Sequence, residues 1–114
     1  MKVYISGQIT GLEAPEALKN FNKAENVLKL LGHRVVNPMK INKPGDSWKQ
    51  CMITDIKALM DCDAIYMLSN WINSRGARIE FCIAKETDLS IMYEDEEKSL
   101  VYRVAVGNTY PNHL

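Results

Sequence analysis

Two acidic residues, Asp55 and Glu80, lie where a carboxylate could do chemistry. From Trp48 to Met60 the apolar residues recur at helical spacing, and at about 100° per residue Asp55 falls in the middle of the apolar face. The neighbouring Lys57 falls outside that sector. A carboxylate on an apolar face needs a partner, which is either the backbone amides of a structural site or a ligand. Asp55 is therefore a candidate for catalysis or for a structural role.

Glu80 shares its predicted helical face with mostly small residues, namely Gly76, Ala77, Ile83, Ala84 and Thr87. Small neighbours allow a ligand or another backbone to approach closely. The alternative is an ordinary exposed glutamate on a helix. Glu80 is therefore a candidate for contact with something other than solvent.

Three further features have open interpretations. The loop from Gly7 to Gly11 has two glycines, but their spacing fits neither GxGxxG nor GxxxxGK[ST], so it is weak evidence for a nucleotide. Asn73 or Ser74 can cap the following helix, and the free amides there can also bind an anion. Trp71 can stack on a base or act as a packing anchor.

The two histidines, His33 and His113, have no partner at metal-ligand spacing. No Ser-His or Cys-His arrangement indicates another nucleophile. The sequence therefore predicts neither a metal nor another cofactor.

The elements that must position these residues alternate between strands and helices. We expect strands at residues 1–6, 33–36, 64–68, 89–93 and 100–106, and helices at residues 15–31, 48–60 and 75–87. Residues 39–47 are expected to form a loop, and residues 107–114 a polar tail.

This alternation predicts an α/β fold, a three-layer Rossmann-like or flavodoxin-like parallel sheet of about five strands with helices on both faces. The 114 residues suffice for a single domain, 1–114, in which 94–114 supply a possible edge strand and tail. Ligands of such sheets bind beyond the carboxyl ends of the strands. The loops at residues 6–11, 37–48 and 69–76 are therefore the expected binding loops.

Composition excludes several classes of protein. The 14 Lys and Arg residues balance 14 Asp and Glu residues, so there is no net field to attract a nucleic acid polymer or a membrane surface. No apolar run reaches the roughly 20 residues of a membrane span, and no targeting segment is visible. The three cysteines, Cys51, Cys62 and Cys82, are predicted to be reduced core thiols, which indicates a cytoplasmic protein.

Three motifs, in this order and spacing, resemble the nucleoside 2-deoxyribosyltransferase superfamily. They are YISGQITG with Tyr4, Gly7, Ile9 and Gly11, ITDIKAL with Asp55, and SRGARIEFCIAKE with Glu80. The resemblance extends from residue 1 to about residue 93. Its motif layout is most similar to the branch of 2'-deoxynucleoside 5'-monophosphate N-glycosidases and to a small bacterial and phage subfamily of that group.

The resemblance implies cleavage of the N-glycosidic bond of a nucleoside or nucleotide, by hydrolysis or by deoxyribosyl transfer. Carried over by position, Glu80 is the nucleophile, Asp55 assists the leaving base and Tyr4 completes the catalytic set. The substrate-binding residues expected from the same motifs are Ser6, Gly7, Gln8, Ile9, Gly11, Ser74 and Gly76.

Three residues near Glu80 bear on whether the substrate carries a 5'-phosphate. Ser74 stands where the transferases carry an aspartate and matches a serine that the monophosphate hydrolases use near phosphate, and Arg75 and Arg78 add positive charge, which favours a 5'-phosphorylated substrate. Arg78 also replaces a small residue of the hydrolase motif.

The resemblance further implies a homodimer or larger homo-oligomer. A non-catalytic nucleotide-binding or sensing module and a simple interaction domain are the competing hypotheses.

Overall fold

A computed structural model describes residues 1–95 of the chain. Its elements are the strands β1 (Lys2–Ser6), β2 (Arg34–Val36), β3 (Ala64–Met67) and β4 (Ser90–Tyr93), the helices α1 (Ala14–Leu30), α2 (Pro38–Ile41), α3 (Trp48–Met60) and α4 (Arg75–Glu86), and a 3₁₀ turn (Trp71–Asn73). The strand expected at residues 100–106 and the tail lie outside the described residues. A single domain over all 114 residues therefore stays a prediction.

The four described strands form one parallel sheet in the order β2-β1-β3-β4. The predicted α/β class is confirmed, with four strands among residues 1–95 rather than about five. Because the chain moves from β1 outward to β2 and then returns to the other side of β1, the strand order reverses between β1 and β3. The carboxyl ends of these two strands are where such sheets bind ligands.

Alternation along β1 separates the two faces of the sheet. Val3 and Ile5 pack with Phe21 and Leu28 of α1 on one face. Tyr4 packs on the other face with residues of α3 and α4, and Ser6 shares its side of the strand. Because side chains alternate along a strand, the hydroxyl groups of Tyr4 and Ser6 both face the helices that carry Asp55 and Glu80.

Most predicted helix boundaries agree with the structure within one or two residues, because the sequence has clear capping signals. Ser47 and Gln50 form a reciprocal capping box at the start of α3. The loop expected at residues 39–47 is partly wrong, since α2 occupies its beginning. Asn37 caps α2 by accepting a hydrogen bond from the Met39 amide, and Pro38 occupies the first helical position.

The prediction of three core thiols is wrong for two of the cysteines. Cys62 is buried, Cys51 is half-buried and Cys82 is exposed, and all three are free. Cys82 lies on the outer side of α4, away from the sheet. Within residues 1–95, no helix is long and apolar enough to cross a membrane.

Candidate active site

A cavity of about 700 Å³ opens at the carboxyl end of β1, on the face covered by α3 and α4. It is lined by three residues of the loop after β1, by much of the segment 38–46, by the first half of α3 and by the start of α4. Tyr4, Asp55 and Glu80 all contribute to its wall. The volume is typical of a site for a small organic ligand.

Glu80 is 5% exposed, so the alternative of an ordinary exposed glutamate is wrong. Its Oε1 accepts a hydrogen bond from the Ser6 hydroxyl at 2.7 Å, and its Oε2 accepts one from the Tyr4 hydroxyl at 2.9 Å. Both donors come from the same face of β1. The strand therefore orients the carboxylate while leaving Glu80 on the wall of the cavity.

Asp55 is 6% exposed, as its place on the apolar face of α3 predicts. Its Oδ1 accepts a hydrogen bond from Asn42 Nδ2 at 2.9 Å, and the Tyr4 hydroxyl also lies within hydrogen-bonding reach. The partners are side chains, whereas a purely structural aspartate was expected to bind backbone amides. One phenol thus lies between the two carboxyl groups.

Burial is the main cause of the unusual acidities in this cluster. It raises the pKa of Asp55 to about 6, against the opposing hydrogen bonds from Asn42 and Tyr4. Burial, together with the negative charge of Asp55, raises the pKa of Glu80 to about 7. The pKa of Tyr4 is raised well above its ordinary value by burial and then by the charge of Glu80. At neutral pH the pair is therefore partly protonated, and the higher pKa of Glu80 favours the proton on Glu80 over Asp55.

Gly7 follows β1 where there is no room for a side chain. A Cβ atom there would stand 2.5 Å from Leu68 Cδ1 and 2.8 Å from Leu68 Cβ. Leu68 is buried in the core against α1. Glycine at this position lets the chain turn closely over the end of β3, and Gly7 and Ile9 both line the cavity.

Two other residues of this loop, Gln8 and Gly11, are absent from the cavity wall. The Gln8 amide donates to Asn70 Oδ1 at 3.1 Å, and its side chain donates to the Thr10 carbonyl. Gly11 has a φ of 92°, a conformation that favours glycine. Both residues shape the loop, and Thr10, which was not predicted, lines the cavity beside Ile9.

The start of α4 also forms part of the wall. Ser74 is its N-cap, and the Ser74 Oγ accepts a hydrogen bond from the Ala77 amide at 3.1 Å. A Cβ atom on Gly76 would stand 3.1 Å from Met52 Sδ, so this glycine allows α3 and α4 to approach each other. Ser74 and Gly76 both line the cavity.

The two arginines of α4 are absent from the cavity wall, although Trp48, the partner of Arg75, lines it. The Arg75 guanidinium lies over the Trp48 ring, 4.1 Å from its centroid. Arg78 donates to the Ile72 carbonyl. Among the lining residues that the structure describes, Lys43 is the one with a positive charge.

Trp71 and His33 do not line this cavity, and His113 lies outside the described residues. Trp71 stacks on Phe81 with ring centroids 4.7 Å apart. Of its two possible roles, this contact favours packing within the protein over stacking on a base. His33 Nδ1 lies 3.2 Å from the amine of Met1. Within residues 1–95, no cluster of three or more His, Cys, Asp or Glu side chains is suited to a metal ion.

The sequence predicts a binding loop at residues 37–48, but it does not indicate which residues of this segment form the site. The structure places Met39, Asn42, Lys43, Pro44 and Asp46 from this segment on the cavity wall. The available signal was the dipeptide of Asn37 and Pro38, a cap followed by a first-turn proline. It indicates a helix start, but it does not show that the helix ends against Asp55.

Comparisons with known proteins agree with this architecture. Residues 1–93 match the family model described as "Domain of unknown function (DUF4406)". A solved structure of the 2-deoxyribosyltransferase from Bacillus psychrosaccharolyticus is similar with a TM-score of 0.64 and 22% sequence identity, over 82% of this chain and 71% of that chain. No curated protein gives a significant match. The chain belongs to the DUF4406 family, and its fold is similar to that of this 2-deoxyribosyltransferase.

Proposed function

We propose that this protein cleaves the N-glycosidic bond of a deoxynucleoside or its 5'-monophosphate, with Glu80 as the nucleophile. One observation carries the proposal: two buried carboxyl groups, Glu80 and Asp55, meet across the Tyr4 hydroxyl on the wall of one cavity. A module that only binds a nucleotide needs base and phosphate contacts but no such pair. The similarity in fold to a 2-deoxyribosyltransferase supports the same class of reaction.

In the proposed reaction, an oxygen of ionised Glu80 attacks the anomeric carbon through an oxocarbenium-like transition state. The C–N bond breaks, and its electron pair leaves with the base. Asp55 in its protonated form donates its proton to the departing base. Water or a second base then attacks the anomeric carbon and loses a proton to the Asp55 carboxylate, while the bond between the carbon and Glu80 breaks. The result is hydrolysis or transfer respectively, and both carboxyl groups return to their initial states.

Tyr4 supports this division of roles in two ways. Its hydroxyl, together with that of Ser6, donates to Glu80 and so stabilises the ionised nucleophile. Because the same hydroxyl reaches Asp55, a proton on Glu80 can pass to Asp55 through Tyr4 without a charge remaining on the phenol. The pair then reaches the state with ionised Glu80 and protonated Asp55 that the reaction requires.

We propose hydrolysis of a 5'-monophosphate rather than transfer between free nucleosides. Support comes from the N-terminus of α4, where Ser74 and Gly76 line the cavity and the helix dipole favours an anion, and from Lys43 on the same wall. Arg75 lies next to this wall on Trp48. The N-glycosidase branch of the superfamily is therefore the proposed relative, with a small nucleotide and a second copy of this chain as partners.

The test is a screen of deoxynucleosides and their 5'-monophosphates for released base by liquid chromatography. Glu80→Gln keeps the shape of the side chain and should lower turnover roughly a thousand-fold or more while ligand still binds, because the nucleophile is gone. Glu86→Gln, an exposed change on the same helix, is the matched control and should match the wild type. Calorimetric binding of a nucleotide without any base release would favour the sensing module instead.

A further inference from the structure

Asn42 follows α2 directly and lies on the cavity wall beside Asp55. Its amide nitrogen, Nδ2, donates to the Pro38 carbonyl at 3.0 Å and to Asp55 Oδ1 at 2.9 Å. Both hydrogens of the amide thus have acceptors. One of these acceptors is backbone, so the end of α2 fixes the position of the amide relative to the carboxyl group of Asp55.

The other end of the same amide is left without a partner. Asn42 Oδ1 is buried and accepts no hydrogen bond from the described residues. Turning the amide over would not relieve this, since the oxygen would then face the Pro38 carbonyl and the Asp55 carboxylate, which are both acceptors. A buried acceptor left unpaired is costly and uncommon. The structure nevertheless keeps the hydrogen bond from Asn42 Nδ2 to Asp55, although Asn42 Oδ1 has no partner among the described residues.

The helix that carries this amide is anchored away from the cavity. The Asn37 side chain caps α2 and donates through Nδ2 to Glu25 Oε1 at 3.0 Å. Lys40 of α2 forms an ion pair with the same carboxylate at 2.9 Å. Glu25 belongs to α1 and is buried, so α2 is tied to the main helix on the opposite face of the sheet. This anchor limits how far Asn42 can move from Asp55.

On the basis of the function proposed above, we propose that Asn42 is a positioning residue that determines which oxygen of Asp55 carries the acid proton. Because Nδ2 occupies Oδ1 as a donor, a proton on Asp55 resides on Oδ2. From Oδ2 the proton is transferred to the leaving nitrogen of the base as the C–N bond breaks, and Asp55 becomes a carboxylate that Asn42 still stabilises. Asn42 itself makes no bond to the reacting atoms.

The experiment follows the titration of Asp55 directly, by NMR of the full chain labelled with ¹³C at aspartate carboxyl carbons. In Asn42→Ala the donor that favours the ionised form is lost, so the Asp55 midpoint should move upward by about 1 pH unit. Asn42→Ser provides a second variant with a small polar residue at the helix end, and it should give the same direction. Asn73→Ala, an exposed asparagine outside the cavity wall, is the control and should leave the midpoint unchanged.

Base release provides a second readout. The basic limb of the pH profile of kcat/KM should move upward with the NMR midpoint, and kcat should fall about tenfold or more on bases that leave poorly. An unchanged Asp55 midpoint in folded Asn42→Ala and Asn42→Ser would overturn the inference. The NMR midpoint does not depend on turnover, so a wild-type protein that releases no base would overturn the proposed function separately.

Discussion

Glu25, the buried carboxylate of α1, accepts hydrogen bonds or ion pairs from Lys29, Lys40 and Asn37. These partners, with Lys29 the strongest, lower its pKa from 4.5 to about 2. By linkage a change of this size corresponds to a ceiling of roughly 3 kcal/mol at neutral pH. Since the side chains of Lys29 and Lys40 are 58% and 57% exposed, solvent screening reduces the expected contribution to about 1 to 2 kcal/mol.

Glu25→Gln should therefore lower the free energy of unfolding by about 1 to 2 kcal/mol at pH 7, measured by urea denaturation and circular dichroism. The folded-state pKa lies below the unfolded one, so this stabilisation is present above about pH 4.5 and is lost as the pH falls toward about 2. The difference between wild type and variant should shrink over that interval. Glu16→Gln, an exposed change on the same helix, is the control. A difference that stays constant from pH 7 to pH 3, or one no larger than that of the control, would refute this reasoning.

Three further predictions concern the site and the assembly. Tyr4→Phe removes a donor from Glu80, so base release should fall roughly 10- to 100-fold with little change in KM, and an unchanged kcat would contradict the role of the hydroxyl. Gly7→Ala places a Cβ atom against buried Leu68, so the melting temperature should fall by several degrees, corresponding to about 1 to 3 kcal/mol, and a wild-type melting curve would show that the loop has room. Light scattering at micromolar concentration should give the mass of a dimer or larger assembly, and a monomer with full turnover would defeat that expectation.

The positions of the two carboxyl groups were predictable because helix periodicity and burial are coupled. Asp55 and Glu80 stand on the inward faces of α3 and α4, as their spacing from apolar and small residues indicates. The strand alternation that places Tyr4 on their side of β1 follows from the period of two. The parallel sheet was predictable from the alternation of strands and helices along the chain, because each helix carries the chain back to start the next strand in the same direction.

Other parts of the site depend on contacts that sequence spacing does not reveal. The helix α2 has four residues, which is little more than one turn, so it shows no periodicity that would place Asn42 beside Asp55. The partners of Glu25 are equally hidden in the sequence, because Asn37 and Lys40 reach its carboxylate from another element. The same holds for Arg75, because the sequence shows its charge but does not show that its guanidinium stacks on the Trp48 ring.

The role of Glu80 as a nucleophile can be tested by a search for a covalent sugar on this residue. The protein would be incubated with a 2'-fluorinated deoxynucleotide, whose electron-withdrawing substituent slows breakdown of a glycosyl-enzyme, then quenched in acid and analysed by intact-protein and peptide mass spectrometry. We predict the mass of one glycosyl residue on the peptide that contains Glu80, one equivalent of base released with it, and neither in Glu80→Gln. Base release without any adduct, at an undiminished rate in Glu80→Gln, would contradict the account.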